Sequence, residues 1–343
     1  MKINIKFLAL ASMCSLLVFA SCSEMNDLHQ DYLDQGEKIY AGKPDSVYVK
    51  GGRERAYLEL ILTQDQRIKE YVIYWNNGAD SVRKTVEKTS GTDTVGVMID
   101  NLLEGTYLFN SQTIDGAGNR SLKVETTGYT YGENFQSGLS NRRMERDVWI
   151  LPGEAMVKFK GNPEKSVSTE FRYTDSEGAP GEFTLSSDDV DAVAQISGKP
   201  MKLEMRTLFL PEEGAIDTFY TDWVEVPFIW SAYSGHYTGS GTFDHPSNGA
   251  REFSQEKLLQ PVDDKTVMAN HSDLGQHGYR IKLVVAEDNS VTVTQYNGDG
   301  NEIGEMVSDA ENSYNPETKT FTLNYRYEGD GGFRVISETI VMK

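Results

Sequence analysis

The histidines, carboxylates and aromatic rings of this 343-residue chain are the groups that could do chemistry, and their spacing narrows what that chemistry is. His236 and His245 lie nine residues apart with Asp244 beside one of them, so a hairpin could bring them together as metal ligands. Such residues more often decorate a turn, and the same holds for His271 and His277, so no metal is expected. Asn297-Gly298-Asp299-Gly300-Asn301 has the look of a calcium loop, but its twelfth position is Ser308 instead of glutamate, and a tight turn explains it better. Gly235 to Gly241 is glycine-rich without a following Lys-Ser/Thr or a helix, so it is no phosphate cradle. Neither a G-x-S-x-G elbow nor an H-E-x-x-H pair is present. Among 52 acids no carboxylate pair is marked by its context as a glycoside-cleaving site. The expectation is therefore a non-catalytic chain without a cofactor. What remains is a cluster of rings, Trp223, Trp230, Tyr233 and Tyr237, on whose faces sugars could stack. Large aromatics at such a junction more often pack into a core.

The first residues carry an export signal. Lys2 and Lys6 precede an apolar stretch of fourteen residues, Phe7 to Ala20, too short for a bilayer that needs about 20. Residues 1–21 are expected to be removed. The remaining 322 residues (343 − 21) then have a formal charge of −21 (−19 less the two lysines) and a single cysteine, Cys22, so no disulfide forms within a monomer. Such an acidic excess opposes phosphate backbones, which excludes nucleic acid as an expected partner.

These groups must be positioned by strands. Residues 22–40 are polar and acidic and predict a tether. Tyr57 to Leu62, Glu70 to Trp75 and Thr106 to Ile114 have strand patterns, and Asp115-Gly116-Ala117-Gly118-Asn119 predicts a turn. Only Gln64 to Glu70 and Ser187 to Gln195 suggest short helices. Within residues 41–130, the strand Tyr71-Val72-Ile73-Tyr74-Trp75 and the sequence Leu102 to Tyr107, with Tyr107 placed as a tyrosine corner, resemble a fibronectin type III-like sandwich. Residues 131–226 echo that unit: Glu170-Phe171-Arg172-Tyr173 repeats Glu70 to Tyr74, and Met201 to Phe209 plays the part of Thr106 to Ile114. From 227 to 343, glycine-rich hairpins and the cleanly alternating Thr320 to Tyr327 predict an antiparallel meander of six to eight strands. The fold class expected is all-β: two fibronectin type III-like β-sandwiches followed by an antiparallel β-barrel or sandwich.

Two resemblances add a setting. Ala20 and Ser21 before Cys22 resemble the lipobox of bacterial lipoproteins, which implies acylation of Cys22 and anchoring in a lipid bilayer. The Tyr-Trp strand, the Gly105-Thr106-Tyr107 strand, the Asp115 to Asn119 turn and the close Asp217-Thr218-Phe219-Tyr220 resemble an uncharacterised Bacteroidetes lipoprotein domain family, found among polysaccharide-utilisation surface lipoproteins. Glu24 and Asp27 are similar to the export tag for the outer face of the outer membrane. The resemblance implies architecture and compartment, an outer-membrane lipoprotein at the cell surface or on the periplasmic face; together with the anchor and the tandem sandwiches it favours a protein that binds polysaccharide or assists outer-membrane transporter components. An adhesin or spacer binding a protein partner, and a glycoside-processing enzyme with an unmarked carboxylate site, are the alternatives.

Overall fold

The computed structural model describes residues 38–62, 65–308 and 310–343. The signal segment, Cys22 and all but the last three residues of the tether lie outside them. Two compact units are present, one ending at Tyr131 and one beginning at Gly132.

In the first, seven strands follow in order: β1 (Ser46–Gly52), β2 (Arg55–Leu62), β3 (Ile68–Trp75), β4 (Asp80–Thr85), β5 (Asp93–Asp100), β6 (Gly105–Asp115) and β7 (Val124–Thr130). They pair as β1-β2-β5 and β4-β3-β6-β7, the two sheets of a sandwich. The alternation of β2 buries Leu58, Leu60 and Leu62, which meet Tyr71, Ile73 and Phe109 from the other sheet. The tyrosine that ties the sheets together is Tyr71, whose hydroxyl donates to Gly96 O at 3.0 Å, while Tyr107 stacks on Phe109 beside the core. Of the helix expected at Gln64 to Glu70, Gln64 lies outside the described residues and Asp65 to Glu70 is not helical: from Ile68 on, the chain is already β3, because pairing with β6 satisfies the backbone better than one or two helical turns could.

The second unit opens with a short helix, α1 (Glu133–Ser137), and continues with β8 (Val148–Leu151), β9 (Glu154–Lys158), β10 (Ser166–Asp175), β11 (Pro180–Ser186), β12 (Asp191–Gln195), β13 (Pro200–Phe209), β14 (Phe219–Tyr220), β15 (Val224–Glu225) and β16 (Phe228–Trp230). One sheet runs β11-β10-β13-β14 with β15 also on β13; the other runs β12-β9-β8-β16. The sequence echo is thus a topological one, since β3 and β10 each lie between a hairpin partner and the long strand that follows. Ser187 to Gln195 is also no helix, because Asp191 to Gln195 pairs edge to edge with β9. Arg142, wholly buried and 3.8 Å from the Phe159 ring centroid, staples the loops with bonds to the carbonyls of Gly161, Ser186 and Asp189. After β15 the chain crosses over and β16 adds to β8 in parallel, so residues 228–230 complete this sandwich, although the composition changes at Pro227.

The remaining nine strands are β17 (Gly235–His245), β18 (Gly249–Pro261), β19 (Thr266–Asn270), β20 (Arg280–Val285), β21 (Val291–Tyr296), β22 (Glu302–Glu305), β23 (Ser313–Asn315), β24 (Thr320–Gly329) and β25 (Gly332–Met342). They form one antiparallel sheet in the order β22-β21-β20-β19-β18-β17-β25-β24-β23. The ladder is open, but single bridges, Ser290 to Ser313 and Val307 to Arg326, join its ends, and it curls round one core. One turn recurs across the molecule. Asp115, Asp175 and Asn297 each use Oδ1 to accept the N–H groups two and four residues on, and in each the fourth residue is a glycine with φ between 81° and 87°. Asn297 to Asn301 is therefore a hairpin turn of this kind.

Candidate functional site

Inward-facing residues alternate along the four strands at the centre of the last sheet, and they change from apolar to charged in the same direction. On β25 the inward series is Ile340, Glu338, Ile336, Arg334; on β24 it is Phe321, Leu323, Tyr325, Tyr327. On β18 it runs Leu259, Lys257, Gln255, Phe253, Arg251, and on β17 it runs Tyr237, Gly239, Gly241, Phe243, His245. The pairings Tyr327–Arg334, Phe243–Arg251 and Phe243–Ile336 bring the outer ends of these series together. The result is an apolar floor, a charged middle layer and an open mouth.

The middle layer holds Lys257 and Glu338, both wholly buried and 3.1 Å apart. The ammonium also donates to Asn270 O (2.8 Å) and Ser272 Oγ (2.9 Å), and the Ser272 hydroxyl in turn donates to Glu338 Oε2 at 2.5 Å. Tyr325 donates to the same Ser272 oxygen at 3.3 Å. Burial pushes the Lys257 pKa down, with Glu338 opposing it. Gly239 makes room for the pair: a Cβ there would lie 2.4 Å from Glu338 Oε1 and 2.7 Å from Lys257 Cε. His271, fully buried beside Tyr325 and Tyr327, accepts the N–H groups of Asp273 and Leu274 on Nδ1, both at 3.2 Å, so its proton sits on Nε2. Burial first, then the charge of Lys257, lowers its pKa to about 4.

Above this layer lies a basin of about 650 Å³. Phe243 and Tyr327 line it but are buried, with Arg251 4.6 Å over the Phe243 ring, while Asp273, Gln276 and Gln295 give it planar polar groups and Arg251 and Arg334 give it charge. Asp273 is held by Arg251 Nη2 at 2.8 Å and by the Tyr327 hydroxyl. A few convergent hydrogen-bonding and charged groups in a concave end of a β-structure are found at small-molecule and sugar sites.

The four rings singled out in the sequence do not form one platform. Tyr237 is fully buried, its hydroxyl donating to Tyr233 O at 2.9 Å, and it offers no face to a ligand. Tyr233 packs edge-on against Tyr314 and Phe321 of the same core. Trp230 lies on β16 in the core of the second sandwich with Lys199 Nζ 3.7 Å over its ring. Trp223 lies beside β13 with the guanidinium groups of Arg172 and Arg206 at 4.3 and 4.7 Å. The two tryptophans already lie against the protein's own cations, and the two tyrosines pack on Phe321 or Tyr314. His236 and His245 also fail to meet, because both are on β17 and nine residues of strand separate them by about 30 Å. His236 instead faces Glu154 at 3.0 Å. Among the described residues no group of three or more His, Cys, Asp or Glu is placed to hold a metal ion, and no helix is long and apolar enough to cross a membrane.

Comparison with known proteins gives the following. Residues 22–219 match the model of DUF4998, a domain of unknown function, and residues 229–343 match a second model described as a C-terminal domain. No curated protein matches. Similar solved structures include the FN1-FN3 domains of chicken CNTN1 (11% identity, 55% of this chain and 69% of that one, TM-score 0.31). A two-domain fibronectin type III segment of chicken tenascin is also similar (10%, 54% and 97%, TM-score 0.22), as is the chicken interferon gamma receptor alpha chain (14%, 55% and 100%, TM-score 0.22).

Proposed function

We propose a function for this chain, which belongs to the DUF4998 family, a domain of unknown function: it is a non-catalytic, lipid-anchored protein of a Bacteroidetes outer membrane that binds glycan at the mouth of its C-terminal sheet. The basin carries this reading. A pyranose has a rim of hydroxyls, and the basin supplies planar amide, carboxylate and guanidinium groups that can meet them. The anchor would be Cys22, with two sandwiches between it and the binding end, and outer-membrane transporter components would be the partners that receive the glycan. The absence of catalysis is part of the proposal: of the acids at the site, Glu338 is buried against Lys257, Asp273 is clasped by Arg251 and Tyr327, and Glu328 and Asp330 lie exposed to solvent.

Retardation of the chain from Cys22 onward in gels containing polysaccharide tests this. Retardation by at least one glycan is expected, weakened in a Gln276→Ala/His277→Ala variant, whose side chains are exposed at the rim. No retardation on a broad glycan panel would sink the glycan reading, and release of reducing ends from any of them would sink the non-catalytic one.

A further inference from the structure

We propose that the basin is built for an acidic glycan, one whose sugar carries a carboxylate or a sulfate, with Arg334 as the residue that takes the charge. This rests on the glycan reading above and deepens it.

Arg334 is the outermost inward residue of β25, and its guanidinium lies across Gly329, the residue near the end of the neighbouring strand. A Cβ on Gly329 would fall 1.1 Å from Arg334 Nη1. The backbone of Gly329 is not in the left-handed region, so its conformation does not demand glycine there. The missing side chain leaves room for the guanidinium at the mouth. Once seated, the charge is unspent. Among the described residues Arg334 has no carboxylate partner. Its one hydrogen bond is to the carbonyl of Asp330 at 3.5 Å, and the Tyr327 ring lies 5.8 Å away.

The other charges of the mouth are accounted for differently. Arg251 is neutralised by Asp273, and Asp273 also accepts from Tyr327. Glu328 and Asp330 also line the mouth, where both are exposed to solvent and, among the described residues, in no ion pair. In a chain with a formal charge of −19, a guanidinium without an ion-pair partner at a concave site is the group that can take a ligand's negative charge. A planar guanidinium matches a carboxylate with two parallel N–H···O bonds, and it takes a sulfate oxygen pair in the same way.

Affinity gels of the chain from Cys22 onward with de-esterified polygalacturonate, its fully methyl-esterified form and a sulfated galactan test the proposal, since the first two share a backbone and differ in charge. Retardation by the polygalacturonate or the sulfated galactan, absence of retardation by the methyl ester, and about 10- to 100-fold weakening in Arg334→Gln with partial recovery in Arg334→Lys are expected. The two charged gels identify whether carboxylate or sulfate is the source. Thermal unfolding of Arg334→Gln should be unchanged, because the side chain holds only one carbonyl. If neutral glycans are retained as well as charged ones, or if Arg334→Gln binds like the parent, the acidic-glycan inference falls and glycan binding stands. If only neutral glycans outside these three are retained, the inference falls in the same way. If no polysaccharide is retained, both fall.

Discussion

Two of the places in the second compact unit where aromatic residues and charges come together are built in opposite ways. On the outer face of the second sandwich, Trp223 lies against Arg172 and Arg206, and those cations are bridged in turn to Glu204 (2.9 Å) and Glu170 (2.6 Å). Everything there is partly wet, and exposed pairs of this kind contribute about 0–1 kcal/mol each. Inside the last sheet, Lys257 and Glu338 are removed from water altogether and held by Ser272, Tyr325 and Asn270. A buried pair is stabilising only while it is complete, since either partner alone is an uncompensated charge. The outer cluster is closed, with its rings covered by the protein's own side chains. The inner one supports an open mouth, where Arg334 is left unpaired. Density of aromatic residues in the sequence therefore marks a packed junction, and the open surface lies where single charged residues interrupt an apolar alternation.

The largest expected effect tests the completeness of the buried layer. Glu338→Gln should destabilise the C-terminal sheet by about 3–5 kcal/mol, whereas Lys257→Met together with Glu338→Leu should recover most of that loss. Urea unfolding of the three chains measures both, and a Glu338→Gln cost below 1 kcal/mol would place this pair with the exposed ones. The next effect is of pH. His271 has a folded pKa of about 4 against about 6.5 unfolded, so the unfolded chain takes up the proton first as pH falls. Its contribution is fully present above pH 6.5 and is lost on descending to pH 4, in total about 3 kcal/mol at about 1.4 kcal/mol per pH unit. A His271→Gln chain should lose correspondingly less stability over that window, and an identical pH profile would contradict the buried, neutral imidazole. The smallest effect is on the outer face, where Trp223→Ala forfeits two cation–π contacts worth about 0.5–1 kcal/mol each. Its unfolding midpoint should move slightly and its glycan retardation not at all.

Much of this was legible from residue patterns, for reasons that particular elements make plain. Thr320 to Tyr327 alternates without interruption and became β24, because every second side chain faces one core. The echo between Glu70 to Tyr74 and Glu170 to Tyr173 became two central strands in equivalent places. The expected short helix at Ser187 to Gln195 became an edge strand, since backbone pairing with β9 outweighs a local capping signal. The mouth was harder to see, because Lys257 and Glu338 are far apart in the chain and only the register of β17 between β18 and β25 brings them together. A signal was present: Glu338 sits between Ile336 and Ile340, and Lys257 two residues before Leu259, each a charge in an apolar phase. Gly239 and Gly329 carried another, being glycines within strands, a place where close approach is the usual reason. Arg334 carries no such signal, because an arginine just after Asp330-Gly331-Gly332 has the sequence appearance of a solvated turn.

The four tryptophans, at 75, 149, 223 and 230, all belong to the sandwiches, and none lines the basin. Titrating the chain from Cys22 onward with the polysaccharide that retards it, while following tryptophan emission, therefore tests most directly whether the ligand sits at the mouth. Binding at the mouth predicts saturable retardation with emission unchanged, the same affinity in Trp223→Ala and Trp230→Ala, and lost affinity in Gln276→Ala/His277→Ala. A shift in emission that saturates with binding and disappears with Trp223→Ala or Trp230→Ala would contradict it and return the site to the sandwich.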